Sequence, residues 1–133
     1  MDPNQNRVHP HAVRKIRVLI VDDMPQVRQE LRQLLPLLGA IEVVGEAGDG
    51  LEAVIQAQAL RPAVVIMDLE IPALDGYEAA RRIKARDPAC QVIALTIHAS
   101  QAERERALQA GMAEVVVKGA PLEELLQAIG AHQ

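Results

Sequence analysis

Ala63-Val-Val-Ile-Met67, closed by the carboxylate of Asp68, is the stretch on which the fold turns. The run does not alternate, so it has no polar face to give to water. A strand of this kind is covered on both sides, as in a parallel sheet between two helical layers. Four more β-branched-rich runs flank it: Ile16-Arg-Val-Leu-Ile-Val21, Ile41-Glu-Val-Val44, Val92-Ile-Ala-Leu95 and Val115-Val-Val117. The two C-terminal ones are also nearly continuous.

Helical patterns separate these runs. Val27, Leu31, Leu34, Leu35 and Leu38 follow a 3.6-residue period, with Pro25 near the first turn and Gly39 as a stop. Asp49 with Glu52 three residues later reads as a cap, opening a helix that turns Leu51, Val54 and Ile55 inward. Gly45-Glu-Ala-Gly48-Asp-Gly50 before it reads as a turn whose glycines permit positive φ. Tyr77, Ala80 and Ile83 mark a third helix, ended by Asp87-Pro88. A fourth, about Ser100 to Gly111, is Ala- and charge-rich with a weak apolar stripe, so loose docking is expected. A fifth begins near Pro121, with Leu122, Leu125, Leu126 and Ile129 inward, and ends by about Gly130. Five β-α units predict a doubly wound α/β domain with right-handed crossovers, over residues 16–131.

Composition narrows the class. The chain has 133 residues, suited to one domain. No apolar run approaches the roughly 18 residues of a membrane helix. The first fifteen residues lack the apolar middle of a signal peptide and read as a flexible, solvated leader. The single Cys90 precludes an internal disulfide or a multi-cysteine metal site. A soluble cytoplasmic protein is expected. The net charge is −4; the first fifteen residues hold +2 (Arg7, Arg14 and Lys15 against Asp2), leaving −6 from 11 basic and 17 acidic residues. An acidic body with Tyr77 as its only aromatic residue is poorly suited to nucleic acid or base stacking.

In open parallel sheets, sites form beyond the carboxyl ends of the strands. Those ends hold Asp22-Asp23 after strand 1, Asp68 after strand 3, Thr96 after strand 4 and Lys118 after strand 5. Three neighbouring carboxylates repel one another unless a cation intervenes. Oxygen-only donors suit a hard ion, Mg²⁺ or Mn²⁺, rather than Zn²⁺. A lysine and a threonine beside them suit phosphoryl oxygens, and a carboxylate there can act as a nucleophile, forming an aspartyl phosphate. Singly, each residue has a plainer role: helix cap, surface lysine, ordinary strand residue. The combination at four strand ends points to chemistry. His9 and His11 could touch a metal only incidentally, and no nucleophile elbow is present.

The set Val18-Leu-Ile-Val-Asp22-Asp23, Val64-Val-Ile-Met-Asp68-Leu-Glu-Ile-Pro72 with Asp75-Gly76, Ala94-Leu-Thr96 and Gly111-Met-Ala-Glu-Val-Val-Val-Lys118 resembles the receiver domain of bacterial two-component response regulators. The resemblance covers about residues 16–130 and is nearest the subfamily with a C-terminal helix-turn-helix. It implies the flavodoxin-like strand order 2-1-3-4-5, which spacing alone does not supply. It implies Asp68 as phosphoacceptor, supplied by a histidine kinase, a phosphotransfer protein or a small phosphodonor. It implies Mg²⁺ (or Mn²⁺) held by Asp23, Asp68 and the backbone carbonyl of Glu70, with Asp22 on a metal-bound water. Thr96 and Lys118 would sense the phosphoryl group and switch the helix 4–strand 5–helix 5 face. That face would address a downstream effector, a separate output domain or a second copy in a homodimer. Direct nucleic-acid or membrane binding by this chain is not implied, nor is any reaction beyond its own phosphorylation and dephosphorylation. No output domain follows in this sequence, so it reads as a single-domain regulator or a fragment.

Three departures from the family pattern stand out. Val115 occupies the position of the usual rotating Tyr or Phe. Ile97, bulky and β-branched, stands where a small residue is usual and is expected to narrow access to Asp68. Gly119 replaces the common Pro after Lys118. Glu70 and His98 occupy variable positions and are expected to tune the lifetime of the phosphorylated state. Val115 and Ile97 motivate a rival reading, a receiver-like scaffold working without phosphorylation. A phosphatase of the haloacid dehalogenase type would need an Asp where Glu70 stands, and the acidic, Trp-free edge offers little to a flavin. Glu103-Arg-Glu-Arg106 reads either as a dimer contact or as a solvated helix surface with internal ion pairs.

Overall fold

The computed structural model describes residues 14–133. Most of the expected leader, with His9 and His11, lies outside the described residues. The elements alternate without exception: β1 (Ile16–Val21), α1 (Pro25–Leu38), β2 (Ile41–Ala47), α2 (Gly50–Leu60), β3 (Val64–Asp68), α3 (Gly76–Arg86), β4 (Gln91–Thr96), α4 (Gln101–Gln109), β5 (Glu114–Val117) and α5 (Leu122–Ala131). The five strands are parallel in the order β2-β1-β3-β4-β5, as the resemblance implied.

Strand periodicity sorts the core into two layers. Leu19, Val21, Val65, Met67, Val92, Ala94 and Val115 point to one face, beneath Ala53 and Ala57 of α2, Tyr77, Ala80 and Ile83 of α3, and Ala107 of α4. Val18, Ile20, Val64, Ile66, Ile93, Leu95 and Val116 point to the other, beneath Leu31 and Leu35 of α1 and Leu125, Ala128 and Ile129 of α5. Every residue of β3 is buried, which explains its unbroken apolar run.

Three expectations are corrected. On α2, Leu51 and Ile55 do not face inward; they are 49% and 66% exposed. The helix instead buries Gly50, Ala53 and Ala57. Small side chains bring it so close that a Cβ at Gly50 would overlap the carbonyl oxygen of Leu74. The large residues are displaced to the outer face. Leu38, in the last turn of α1, is likewise exposed. The glycine-rich turn after β2 is also shorter than expected, because Gly45, Glu46 and Ala47 belong to the strand. A bulge at Val44 shifts the register, pairing Leu19 with Gly45. Among the described glycines, positive φ occurs at Gly111 and Gly119, not in this segment. Gly45 serves close packing, since a Cβ there would come within 2.6 Å of Leu60 Cδ1.

Helix ends are fixed by local chemistry. Asp49 accepts from Glu52 N–H at 2.7 Å, Asp75 accepts from Glu78 N–H at 2.8 Å, and Ser100 and Glu103 close a capping box on α4.

Candidate functional site

Strand register places Asp22, Asp68, Thr96 and Lys118 at one edge. Val21 pairs with Met67, Asp68 with Leu95, and Thr96 with Val117. Asp22 and Lys118 each follow the last residue of a strand. Asp22 N–H donates to Ala47 O at 3.0 Å, and Lys118 N–H to Thr96 O at 2.7 Å. Gly76 lets α3 start against the end of β3, where a Cβ would lie 2.9 Å from Asp68 O.

The side chains converge. Lys118 Nζ stands 3.1 Å from Asp68 Oδ2 and 3.1 Å from Asp22 Oδ2. The first contact is aligned as a hydrogen bond. The second is an ion-pair contact without that alignment, so Asp22 Oδ2 has no hydrogen-bond donor. The other oxygens bind the backbone: Asp22 Oδ1 accepts from Met24 N–H at 2.9 Å and Asp68 Oδ1 from Glu70 N–H at 3.0 Å. Thr96 Oγ1 is buried with no partner. Asp22, Asp68 and Thr96 are the buried polar or charged side chains among the described residues, and Asp23 sits exposed beside them.

The electrostatics follow from burial. Loss of water pushes the Asp68 carboxyl above its usual value; the Glu70 N–H and the Lys118 ammonium oppose this, and the charge of Asp22 adds to it. For Lys118, burial acts downward, but its contacts to Asp68 and Asp22 outweigh it and hold the ammonium above its usual value. The two shifts are compatible. Lys118 has two carboxylates to stabilise its charge, whereas Asp68 shares one ammonium and adjoins another carboxylate.

The donor set fits a hard cation. Asp22, Asp23 and Asp68 each present a carboxylate oxygen within 4.8 Å of the others, and Asp22 Oδ2, ion-paired with Lys118 but accepting no hydrogen bond, leaves acceptor capacity in the cluster. Oxygen ligands of this charge suit Mg²⁺ or Mn²⁺.

The remaining sequence-derived positions divide. Val115 is buried among the apolar residues under α2, α3 and α4. Ile97, His98 and Glu70 are exposed, Ile97 at 57%. Gly119 has φ +88°, which proline's ring forbids, so its departure from the common proline has a backbone cause. The charges of α4 are engaged within the molecule: Glu103 in the capping box, Arg106 over the Tyr77 ring at 4.0 Å, Arg104 on Ala99 O, Glu105 on Gln101. One residue beside the site escaped the sequence reading. Arg28 Nη1 donates to Asp22 O at 2.6 Å. Only its place one helical turn after Asp23 hinted at it.

The match to known proteins is broad. Residues 18–130 match the model of the response regulator receiver domain. Response regulator GacA of Pseudomonas protegens is 40% identical over 114 residues, 86% of this chain and 54% of that protein; the chain thus spans about half the length of such relatives. A LuxR-family two-component response regulator from Aurantimonas has a similar structure, with TM-score 0.83, 37% identity, and coverage of 88% of this chain and 84% of that one. The receiver domain of the NarL response regulator of Mycobacterium tuberculosis gives TM-score 0.84 and 31% identity, over 90% and 96%. With its parallel sheet and acidic, lysine-bearing edge, the chain belongs to the response regulator receiver domain family, the phosphoacceptor signalling domains of two-component systems.

Proposed function

We propose that Asp68 is the phosphoacceptor and that Thr96 and Lys118 read its modification. The observation that carries this is the convergence of one ammonium on two buried carboxylates, 3.1 Å from each, beside a buried hydroxyl without a partner. A lone pair of the Asp68 carboxylate forms the new O–P bond. The bond from phosphorus to the donor's imidazole nitrogen or acyl oxygen breaks, and its electron pair leaves with that group. Lys118 then pairs with the phosphoryl oxygens, and Thr96 Oγ1 donates to one of them. About −1.5 to −2 charge arrives at this edge, and these two residues link it to β4, β5 and the start of α5.

Asp23 and Asp68, with the Glu70 carbonyl, would hold Mg²⁺ directly, and Asp22 would hold one of its waters. Such an ion neutralises charge building on the phosphoryl oxygens. The proposed signalling face is α4–β5–α5, addressed to an effector, an output domain or a second copy; the donor is a histidine kinase, a phosphotransfer protein or a small phosphodonor. We place the chain in the cytoplasm by family likeness, with residues 16–131 as receiver and 1–15 as leader. No helix among the described residues is long and apolar enough to cross a membrane. Glu70 and His98, both exposed, are assigned to tuning: a Glu70→Ala, His98→Ala double variant should dephosphorylate at a changed rate, and equal rates would sink that role.

Intact mass after incubation with acetyl phosphate and Mg²⁺ tests the acceptor. Wild type should gain one phosphoryl group and Asp68→Ala none. A second reading, a scaffold that works unphosphorylated, draws on buried Val115, whose aliphatic side chain cannot act as a rotating aromatic. Failure to phosphorylate together with failure to bind beryllofluoride would favour it.

A further inference from the structure

Arg28 lies in the first turns of α1, with its side chain 20% exposed. Its guanidinium spans two elements. Nη1 donates to the Asp22 carbonyl at 2.6 Å, and Nε donates to Glu46 Oε1 on β2 at 3.2 Å. Glu46 is itself held from the other oxygen by Arg32 Nη1 at 2.8 Å. The backbone of Asp22 is thereby pinned at both ends, since its N–H is tied to Ala47 O of β2 at 3.0 Å. The pinned carbonyl belongs to the peptide that joins Asp22 to Asp23. The orientation of that peptide decides where the Asp23 carboxylate stands relative to Asp68.

We infer that Arg28 is a positioning residue for the cation-holding carboxylates: its planar fork sets the Asp22–Asp23 peptide against β2. The inference rests on the metal reading above. A guanidinium holds two acceptors in a fixed geometry, which a flexible ammonium does not. Its hydrogen bonds go to the Asp22 carbonyl and to Glu46, not to the carboxylate oxygens of the cluster. It therefore acts through the turn.

The sign of one effect separates positioning from plain charge. A positive charge beside a cation site weakens cation binding through space. Neutralising Arg28 should tighten binding if charge is its only influence, and weaken binding if it positions Asp23. Loss of an outer-shell partner costs about 10-fold or more in metal affinity.

The test is Mn²⁺ affinity of the full chain, read by the paramagnetic resonance signal of free Mn²⁺, with thermal unfolding recorded on the same samples. Arg28→Gln should bind about 10-fold more weakly than wild type. Arg28→Lys, which keeps the charge and guards against a folding defect, should also bind more weakly. Unchanged or tighter binding in Arg28→Gln, or wild-type affinity in Arg28→Lys, overturns the inference. A lowered Tm with wild-type affinity would make Arg28 a structural residue only and overturns it equally. Asp23→Asn is the control for the underlying reading. If wild type holds no Mn²⁺ that this variant loses, the metal site itself is refuted, and the positioning role falls with it.

Discussion

Asp68 is ionised at a cost to the fold. Burial raises its carboxyl above the usual 3.8 against the opposing pull of the Glu70 N–H and Lys118. The folded state therefore holds that proton more tightly than the unfolded chain. The stability this supplies is fully present below about pH 3.8 and is lost as pH rises through the raised folded value. Asp68→Asn should be more stable than wild type at pH 7, because it removes a buried charge whose desolvation outweighs its partners, with the advantage vanishing in acid. Denaturant unfolding across pH checks this; a less stable variant at pH 7 would refute the sign. Lys118 runs the other way in charge. Its raised ammonium supplies stability fully present below about pH 10.5 and lost as pH rises through the folded value. Lys118→Met leaves Asp22 and Asp68 facing each other unpaired, and should cost about 2 kcal/mol at pH 7, recovered in part as the carboxylates protonate. The acidic set, Thr96 and Lys118 were legible because each closes a strand, and strand ends can be read from an apolar run. Arg28 was not, because its partners are a main-chain carbonyl and a glutamate on β2, and no spacing rule brings β2 beside the start of α1.

At the scale of the helix, α2 shows why burial patterns mislead. An apolar stripe predicts the buried face only where the helix stands a full side chain away from its neighbour. Here Gly50 meets the Leu74 carbonyl, so the small residues go inside and Leu51 and Ile55 go out. Gly50→Ala, normally favourable within a helix, should instead destabilise by about 2 kcal/mol or more; thermal unfolding within experimental error of wild type would contradict the close approach. Helix α4 is the opposite case. The sequence showed a weak stripe, and within the helix only Ala107 is buried. What it could not show is that Arg106 lies over the Tyr77 ring of α3, 4.0 Å from the centroid. Arg106 is exposed and the Tyr77 ring buried; a cation–π contact of an exposed cation is worth about 0.5–1 kcal/mol, a large share of what seats a helix with so little apolar burial. Arg106→Ala should speed amide exchange across α4 while leaving α3 protected. Tyr77 is the chain's only aromatic residue, so acrylamide quenching of its emission reports the same contact and should rise. Unchanged exchange and quenching would show that Ala107 and its neighbours suffice.

For the whole molecule, the alternation of five apolar runs with five helical patterns carried the class, and the unbroken β3 run carried the two-sided burial. The strand order came with the family resemblance, because β-α alternation is compatible with several orders. That order matters to function. With β1 and β3 adjacent and β4 and β5 beyond them, residues far apart in sequence share one edge: Lys118 is 50 residues from the Asp68 it contacts. The site is therefore built only when strands from both halves of the chain are in register, and a ligand there stabilises the sheet as a unit rather than one loop. Linkage makes this measurable. A cation that binds the folded cluster and not the unfolded chain adds RT ln(1 + [L]/Kd), about 1.4 kcal/mol at ten times Kd. For a domain of this size that is a rise of about 5 °C in Tm. Mg²⁺ against chelator should produce it in wild type. Asp23→Asn should abolish most of it, since one of the three carboxylates within 4.8 Å is gone, although its own Tm without Mg²⁺ should not fall, because Asp23 is exposed and its charge adds to the repulsion. An equal Mg²⁺ shift in both proteins would mean the ion acts on the acidic surface at large and not at this edge.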